Sequence, residues 1–333
     1  MRVNAEAPEP DLIDRAAELL RLGGLVAFPT ETVYGLGANA FDTDAVAGIF
    51  KAKGRPANNP LIVHVADAES AMHLASNWPD AAATLAERFW PGPLTLVLPR
   101  TSAVPDIVTG GGGTVALRSP AHPVARALLE RTGFPLAAPS ANLSEHLSPT
   151  TAEHVLQDLD GHIAMVLDSG ATSGGIESTV LALSGPVPVL LRPGLISHTE
   201  IEAVIGPIVR MQVQSDSTTP APSPGMNARH YAPRALLQIS ESSPELVTAL
   251  VGSGERVGWL ALHTAAVVVD NSGGSRRLVI VQMPQNAAGY ASALYARLHE
   301  LDALGVTRIV VDNLPESEEW MAIRDRLSRA STH

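Results

Sequence analysis

The chain has 333 residues, 45% of them hydrophobic and 17% charged, which is enough apolar content for about two packed domains and too much for disorder along its whole length. It contains no cysteine, and this excludes disulfides, thiolate catalysis, iron–sulfur clusters and cysteine-built zinc sites. A formal net charge of −11 argues against a broad nucleic-acid-binding surface, and the lack of an apolar leader or a bilayer-length apolar run makes a soluble, cytoplasmic protein the expectation.

In chain order, residues 11–22 read as an amphipathic helix capped by Asp11, with Leu12, Ala16, Leu19 and Leu20 on one face and Gly23-Gly24 as its stop. A buried strand at 25–28 comes next, then a helix over 43–53 and a strand over 61–65. Helices are expected at 68–76 and 80–89, strands at 94–98 and 114–118, a helix at 122–132, an extended segment at 135–138 and a helix at 151–159. Strands near 163–167, 178–183 and 188–192 precede a short helix at 199–205. These later strands lack intervening helices, so part of the sheet should be antiparallel.

Residues 211–235 change character, being rich in Gln, Ser, Thr and Pro, and read as an extended linker. A second α/β pattern occupies 236–333, with strands near 236–239, 256–262, 266–270, 277–282 and 308–312 and helices near 244–252, 286–303 and 316–329. Its natural form is a smaller doubly wound domain, which by itself says nothing of function. The domain division is thus 1–210, a linker over 211–235, and 236–333.

Five stretches carry polar groups at expected strand ends, where α/β folds place ligand loops. Phe28-Pro29-Thr30-Glu31-Thr32-Val33-Tyr34-Gly35 offers hydroxyls and a carboxylate, although a plain strand-to-loop turn also fits. Lys51-Ala52-Lys53-Gly54-Arg55 holds the only two lysines of the chain and suits a polyphosphate, with a solvated helix end as the plain alternative. It is not a P-loop. His64, in an apolar strand, reads as either a core histidine or a ligand group. Gly110 to Gly113 can present amides to phosphate or form a loop. Arg118, at the end of a buried strand, needs an anionic partner. Ser140-Ala141-Asn142 and Glu177-Ser178-Thr179-Val180 with Leu191-Arg192-Pro193-Gly194 complete a set that fits a pocket for a polar, anionic ligand.

The order Pro29-Thr30-Glu31-Thr32-Val33-Tyr34-Gly35-Leu36, Lys53-Gly54-Arg55-Pro56 with Asn59-Pro60-Leu61, Ser140-Ala141-Asn142, Glu177-Ser178-Thr179-Val180 and Leu191-Arg192-Pro193-Gly194 resembles the YrdC-like threonylcarbamoyl-AMP synthases. The likeness covers roughly residues 9–208. Ser223-Pro224-Gly225-Met226 with Arg229-His230-Tyr231-Ala232-Pro233, and the extra domain, resemble the two-domain long form. The resemblance implies a twisted open mixed α/β sheet with a basic cavity. It implies that L-threonine and bicarbonate (or carbon dioxide) form N-carboxy-threonine, which attacks the α-phosphate of ATP and expels pyrophosphate, with Mg2+ accompanying the triphosphate. Carried onto this chain, Thr32, His64, Arg118, Ser178 and the backbone near Ala138 would hold L-threonine. Lys53, Arg55, Asn59, Thr114, Ser140, Asn142, Ser148, Arg192 and His230 would line the ATP site, with Lys53 and Arg55 as the catalytic cations.

The resemblance also implies that a tRNA-modifying transferase complex consumes the product to make threonylcarbamoyladenosine beside the anticodon. The acidic total charge argues against direct tRNA binding. The linker is expected to close over the pocket and keep water out. Three rivals stand beside this at the level of sequence: an RNA- or ribosome-associated binding module using the same cavity, a carbamoyltransferase of the hydrogenase-maturation kind, which the absence of cysteine opposes, and a regulatory protein whose C-terminal domain binds a nucleotide or another ligand, for which no motif is present.

Overall fold

The computed structural model describes residues 1–211, 231–263 and 277–331. His230, most of the expected linker and the expected strand at 266–270 lie outside these residues. The chain forms two units. Among the described residues the first holds 1–144 and 148–211, and the second holds 145–147, 231–263 and 277–331.

The first unit runs α1 (Pro10–Arg21), β1 (Val26–Phe28), β2 (Gly35–Asn39), α2 (Thr43–Lys53), β3 (Ile62–His64), α3 (Ala68–Met72), α4 (Asp80–Phe89) and β4 (Leu94–Pro99). It continues with α5 (Asp106–Thr109), β5 (Thr114–Arg118), α6 (Pro123–Thr132), β6 (Leu136–Ala137), α7 (Ala152–Leu159), β7 (Met165–Val166), β8 (Thr179–Ala182), β9 (Val189–Arg192), α8 (His198–Ile205) and β10 (Val209–Arg210). Its strands make one mixed sheet in the order β10-β9-β8-β4-β5-β3-β6-β2-β1-β7. β3 lies parallel to β5, β4 lies parallel to β8, and each of these pairs is antiparallel to the other where β4 meets β5.

Both faces of the sheet are covered, so alternate residues of one strand enter different cores. Leu94, Leu96 and Leu98 of β4 pack into the large cluster with Val46, Ile49 and Leu85, whereas Val97 packs with Ile62, Ala116 and Val180. Burying each such side chain contributes about 1.5–3 kcal/mol, which is why short apolar runs suffice as strands here.

Three expectations need correction. The first helix starts at Pro10 with Glu9 as its N-cap, not at Asp11, because Pro10 is preset for the first helical turn. Its buried face is Ile13, Ala16, Ala17 and Leu20, so Leu12 and Leu19 flank the contact instead of filling it. The third helix stops at Met72 rather than reaching residue 76. In the Gly110–Gly113 run, for which loop and amide nest were both open, Gly111 and Gly112 donate to the Asp106 and Thr109 carbonyls at 2.9 and 3.1 Å, following the unexpected helix α5.

Strand β2 was also unforeseen, since Gly35-Leu36-Gly37-Ala38-Asn39 has low strand propensity. Tertiary packing decides it. A Cβ on Gly37 would meet Phe28 Cε1 at 2.8 Å, so glycine is what lets β2 lie against β1.

The second unit comprises β11 (Leu236–Ser240), α9 (Ser243–Gly252), β12 (Val257–Ala261), β13 (Leu278–Gln282), α10 (Ala287–Ala303), β14 (Arg308–Asp312) and α11 (Met321–Ala330), with a 3-10 turn at Glu318–Trp320. Its sheet is parallel throughout, in the order β11-β14-β12-β13. Val257, Trp259 and Ala261 of β12 and Val310 of β14 pack with Val247 of α9. Among the described residues no helix is long and apolar enough to cross a membrane.

Candidate active site

Strand register brings distant motifs to one edge of the first sheet. β3 and β5 both end there, at His64 and Arg118, which are paired across the two strands. β4 and β8 run the other way and begin there, with Leu94 opposite Thr179. β9 ends there at Arg192, opposite Val180. His64, Arg118, Thr95, Ser178 and Arg192 therefore stand in a row across five neighbouring strands.

Arg118 is the centre of this row. It is 3% exposed, and its guanidinium donates to Glu31 Oε1 at 2.6 Å, to Thr32 Oγ1 at 2.9 Å and to the Gly92 carbonyl at 3.3 Å. Thr30 Oγ1 donates its one proton to the Val33 carbonyl, so Thr32 donates to Thr30 at 2.7 Å and accepts from Arg118. His64 packs edge-on to Phe28, and its Nδ1 has no hydrogen-bond partner among the described residues. Burial, reinforced by the charge of Arg118, pushes the imidazole pKa down to about 3, so the ring is neutral at physiological pH.

Ser178 ties the row together. Its hydroxyl lies 2.8 Å from Thr95 Oγ1 and accepts from Arg192 Nη2 at 3.1 Å, and Arg192 also donates to the Ser178 carbonyl. Next to it, Ser148 donates to Glu177 at 2.5 Å. Gly194 has no room for a side chain, since a Cβ would come within 2.3 Å of the Thr179 nitrogen. That close approach lays the Leu191-Arg192-Pro193-Gly194 turn against Ser178.

A second group gathers at the opposite ends of β3 and β5. Lys53, the last residue of α2, donates to the carbonyls of Ser140 and Asn142 and to Asn142 Oδ1. All three of its N–H bonds thus grip the loop after β6. Burial, with the nearby Arg55 charge, lowers its pKa well below the usual lysine value, partly offset by Asp158. Arg55 holds the Asn59 carbonyl, Asn59 Oδ1 and the Pro60 carbonyl at 3.1, 2.6 and 2.8 Å. Thr114 opens β5, and the Ala138 N–H donates to the Ile62 carbonyl at the start of β3. The Tyr34 backbone links the two groups, donating to Pro149 and accepting from Ala141 at 2.9 Å each.

Ala138, expected with threonine, stands with the Lys53 group, whereas Arg192 and Ser148, expected with ATP, stand with Ser178. Arg55, Arg118 and Arg192 are buried here together with Lys53, and the carboxylates of Glu31, Glu177 and Asp158 lie among them. With His64 neutral, the guanidinium of Arg118, which gives three of its five N–H bonds to Glu31, Thr32 and Gly92, is the group here suited to receive an anionic ligand. Sequence reasoning assigned no role to Glu31, Glu177 or Thr95. Both glutamates lie inside the quoted motifs, and Thr95 had only one signal, a polar residue in an apolar strand.

Comparisons with known proteins show the family. Two family profiles match in tandem: one described as Telomere recombination (Sua5, YciO and YrdC) over residues 18–194, and Threonylcarbamoyl-AMP synthase, C-terminal domain, over residues 196–332. The threonylcarbamoyl-AMP synthase of Bacillus subtilis is 49% identical, with 96% of this chain and 92% of the relative covered. That of Pyrococcus abyssi is 45% identical over 95% of this chain and 93% of the relative. The crystal structure of Pyrococcus abyssi Sua5 complexed with L-threonine superposes with a TM-score of 0.91 at 42% identity, covering 99% of this chain and 97% of that one. The chain belongs to the threonylcarbamoyl-AMP synthase family, in its two-domain form.

Proposed function

We propose that this protein condenses L-threonine, bicarbonate and ATP into threonylcarbamoyl-adenylate, releasing pyrophosphate and water. The observation that carries the reading is the buried row of Arg118, Thr32, His64 and Ser178, which presents a cation, hydroxyls and a neutral imidazole at one sheet edge. Arg118 suits the amino-acid carboxylate, because a guanidinium matches a carboxylate with two parallel N–H bonds. The unpartnered His64 Nδ1 suits the threonine hydroxyl. An amino acid without that hydroxyl would leave the buried nitrogen unpaired, which is a strong basis for rejecting valine.

The cations toward the other ends of β3 and β5 suit the triphosphate. Thr114 and Arg118 lie four residues apart along β5, roughly 13 Å, which is room for an amino acid and a nucleotide to meet between them. In this reading the carboxylate of N-carboxy-threonine attacks the α-phosphorus, and the bond from that phosphorus to the α,β-bridging oxygen breaks, so that the β- and γ-phosphates leave together as pyrophosphate. Lys53, Arg55 and Arg192 neutralise the phosphate charge, and the protein works by positioning rather than by a nucleophile of its own. Lys53 would exchange one of its loop contacts for a phosphate oxygen.

Among the described residues no group of three carboxylates or histidines forms a metal cage, and Glu31 and Glu177 are already engaged. Mg2+ would accompany the ATP phosphates and lower their charge. The product would go to a tRNA-modifying transferase complex in the cytoplasm. His230 would complete the ATP site from the linker.

The test is pyrophosphate release from ATP with bicarbonate, comparing L-threonine, serine, valine and no amino acid. Release that depends on threonine and is lost on replacing both Lys53 and Arg55 with alanine supports the reading. A folded protein with no threonine-dependent release overturns it.

A further inference from the structure

Glu31 is placed where no role in the reaction has been assigned. Its side chain is 14% exposed, and it is held from three directions. Oε1 accepts from Arg118 at 2.6 Å, Oε2 accepts from the Ala121 N–H at 3.0 Å, and the backbone carbonyl accepts from the Gly174 N–H at 2.8 Å. A Cβ on Gly174 would lie 2.7 Å from that carbonyl, so the loop is packed hard against it. Both carboxylate oxygens are thus held by hydrogen bonds, and the backbone beneath them is pinned. Burial pushes its pKa up, but the charge and hydrogen bond of Arg118, with the Ala121 N–H, outweigh this and hold it below the usual glutamate value.

Arg118 has five N–H bonds, and three are spent on Glu31, Thr32 and Gly92. Two remain, the number that a ligand carboxylate takes. The incoming carboxylate must then share one guanidinium with a resident carboxylate that is ionised and held at both oxygens. Two effects of Glu31 on the ligand oppose each other. It orients the guanidinium, which favours binding, and it repels the second anion, which disfavours it. Orientation does not depend on Glu31 alone, because Thr32 and the Gly92 carbonyl hold the same head. The repulsion has no such redundancy, and in a buried site it acts with little solvent screening. Repulsion therefore decides the sign.

Building on the threonine-dependent reading above, we infer that Glu31 is a positioning residue that acts through Arg118: it neutralises the guanidinium in the empty pocket and weakens the pocket's hold on the threonine carboxylate. An empty pocket with Arg118 unpaired would carry a buried, uncompensated cation and would attract any small carboxylate. Glu31 removes that cost, and it leaves only ligands whose other groups also fit, such as the hydroxyl facing His64, able to bind well.

The experiment compares wild type with Glu31→Gln, which keeps the shape and one acceptor oxygen but removes the charge. Threonine-dependent pyrophosphate release gives KM for threonine and for ATP, and L-threoninamide, which lacks the carboxylate, is added as a competitor. The expected result is a threonine KM lowered by about fivefold or more, with the ATP KM and the threoninamide inhibition constant unchanged. Wild type without threonine dependence sinks the functional reading itself. Wild type with that dependence, but an unchanged or raised threonine KM in Glu31→Gln, overturns the role of Glu31 alone. Equal tightening of threonine and threoninamide also overturns it, since the pocket would then have changed shape rather than charge. Glu31→Ala is the second variant and should shift the threonine KM in the same direction. If neither variant folds, Glu31 serves the fold and the assignment fails.

Discussion

The two sheets bury polar side chains in opposite ways. In the second unit the polar groups at the strand ends use one another up. Asp312, at the end of β14, accepts from Trp259 Nε1 at 2.7 Å and from the Leu262 N–H at 2.8 Å, and the Gln282 amide donates to the Ala261 and Leu262 carbonyls. In the first unit the strand-end groups do not cancel. Arg118 has N–H bonds beyond the three it gives to Glu31, Thr32 and Gly92, and His64 Nδ1, Asn59 Nδ2 and Thr172 Oγ1 lack partners among the described residues. The second unit has one such atom among the described residues, the Tyr290 hydroxyl, which belongs to a ring packed edge-on to Trp320. Both units are α/β, so fold class does not separate them. What separates them is whether buried polarity is spent within the protein or kept for a ligand.

Replacing Arg118 with lysine should break this contrast most severely. Lysine cannot serve Glu31, Thr32, Gly92 and a carboxylate together, so threonine-dependent pyrophosphate release should fall roughly 100-fold or more. Retention of a tenth of the activity would show that the forked geometry of the guanidinium is not the working feature, since lysine keeps the charge. Asp312→Ala is the mirror experiment. It leaves the Trp259 and Leu262 donors unpaired and should cost about 2–3 kcal/mol in urea unfolding of the second unit. The threonine KM should stay put, and a large rise would mean that the second sheet also serves the site.

His64 sharpens the comparison through pH. Its folded pKa is depressed to about 3 from an ordinary 6.5. Above pH 6.5 the ring is neutral in both folded and unfolded chains and contributes no pH dependence. Below it the unfolded chain gains a proton that the folded one refuses, so stability falls by about 1.4 kcal/mol per pH unit down toward pH 3. Denaturant titrations at pH 7, 6 and 5 should therefore show a shallower loss in His64→Asn than in wild type. Identical slopes would remove His64 from the set of buried neutral groups. The smallest expected effect belongs to Thr95→Val, which removes the hydroxyl beside Ser178. A loss of about 1 kcal/mol, or roughly fivefold in threonine KM, would place Thr95 among the groups that orient Ser178. An unchanged KM would confine Thr95 to the core.

Much of this was legible along the chain because local signals are strong. The run of residues from Pro29 to Tyr34, the two lysines at the end of α2, and the Leu191-Arg192-Pro193-Gly194 turn all announce themselves by composition. The Glu31–Arg118 pair does not, because its partners are 87 residues apart and meet only when β5 lies between β4 and β3. Strand β2 was hidden for a related reason. Its glycines look like a loop until Phe28 is seen to need the space.

The sequence by itself determined the chemistry on offer and the family: which side chains exist, in which order, and that none is a cysteine. Only the tertiary structure decided how those side chains group. His64, Arg118, Thr95, Ser178 and Arg192 share an edge through sheet order and register, which are set by non-local pairing and by burial on both faces of the strands. Spacing along the chain carries no record of that pairing, so it could name the residues of the site without showing that Ala138 stands at one end of β3 and Arg118 beside the other.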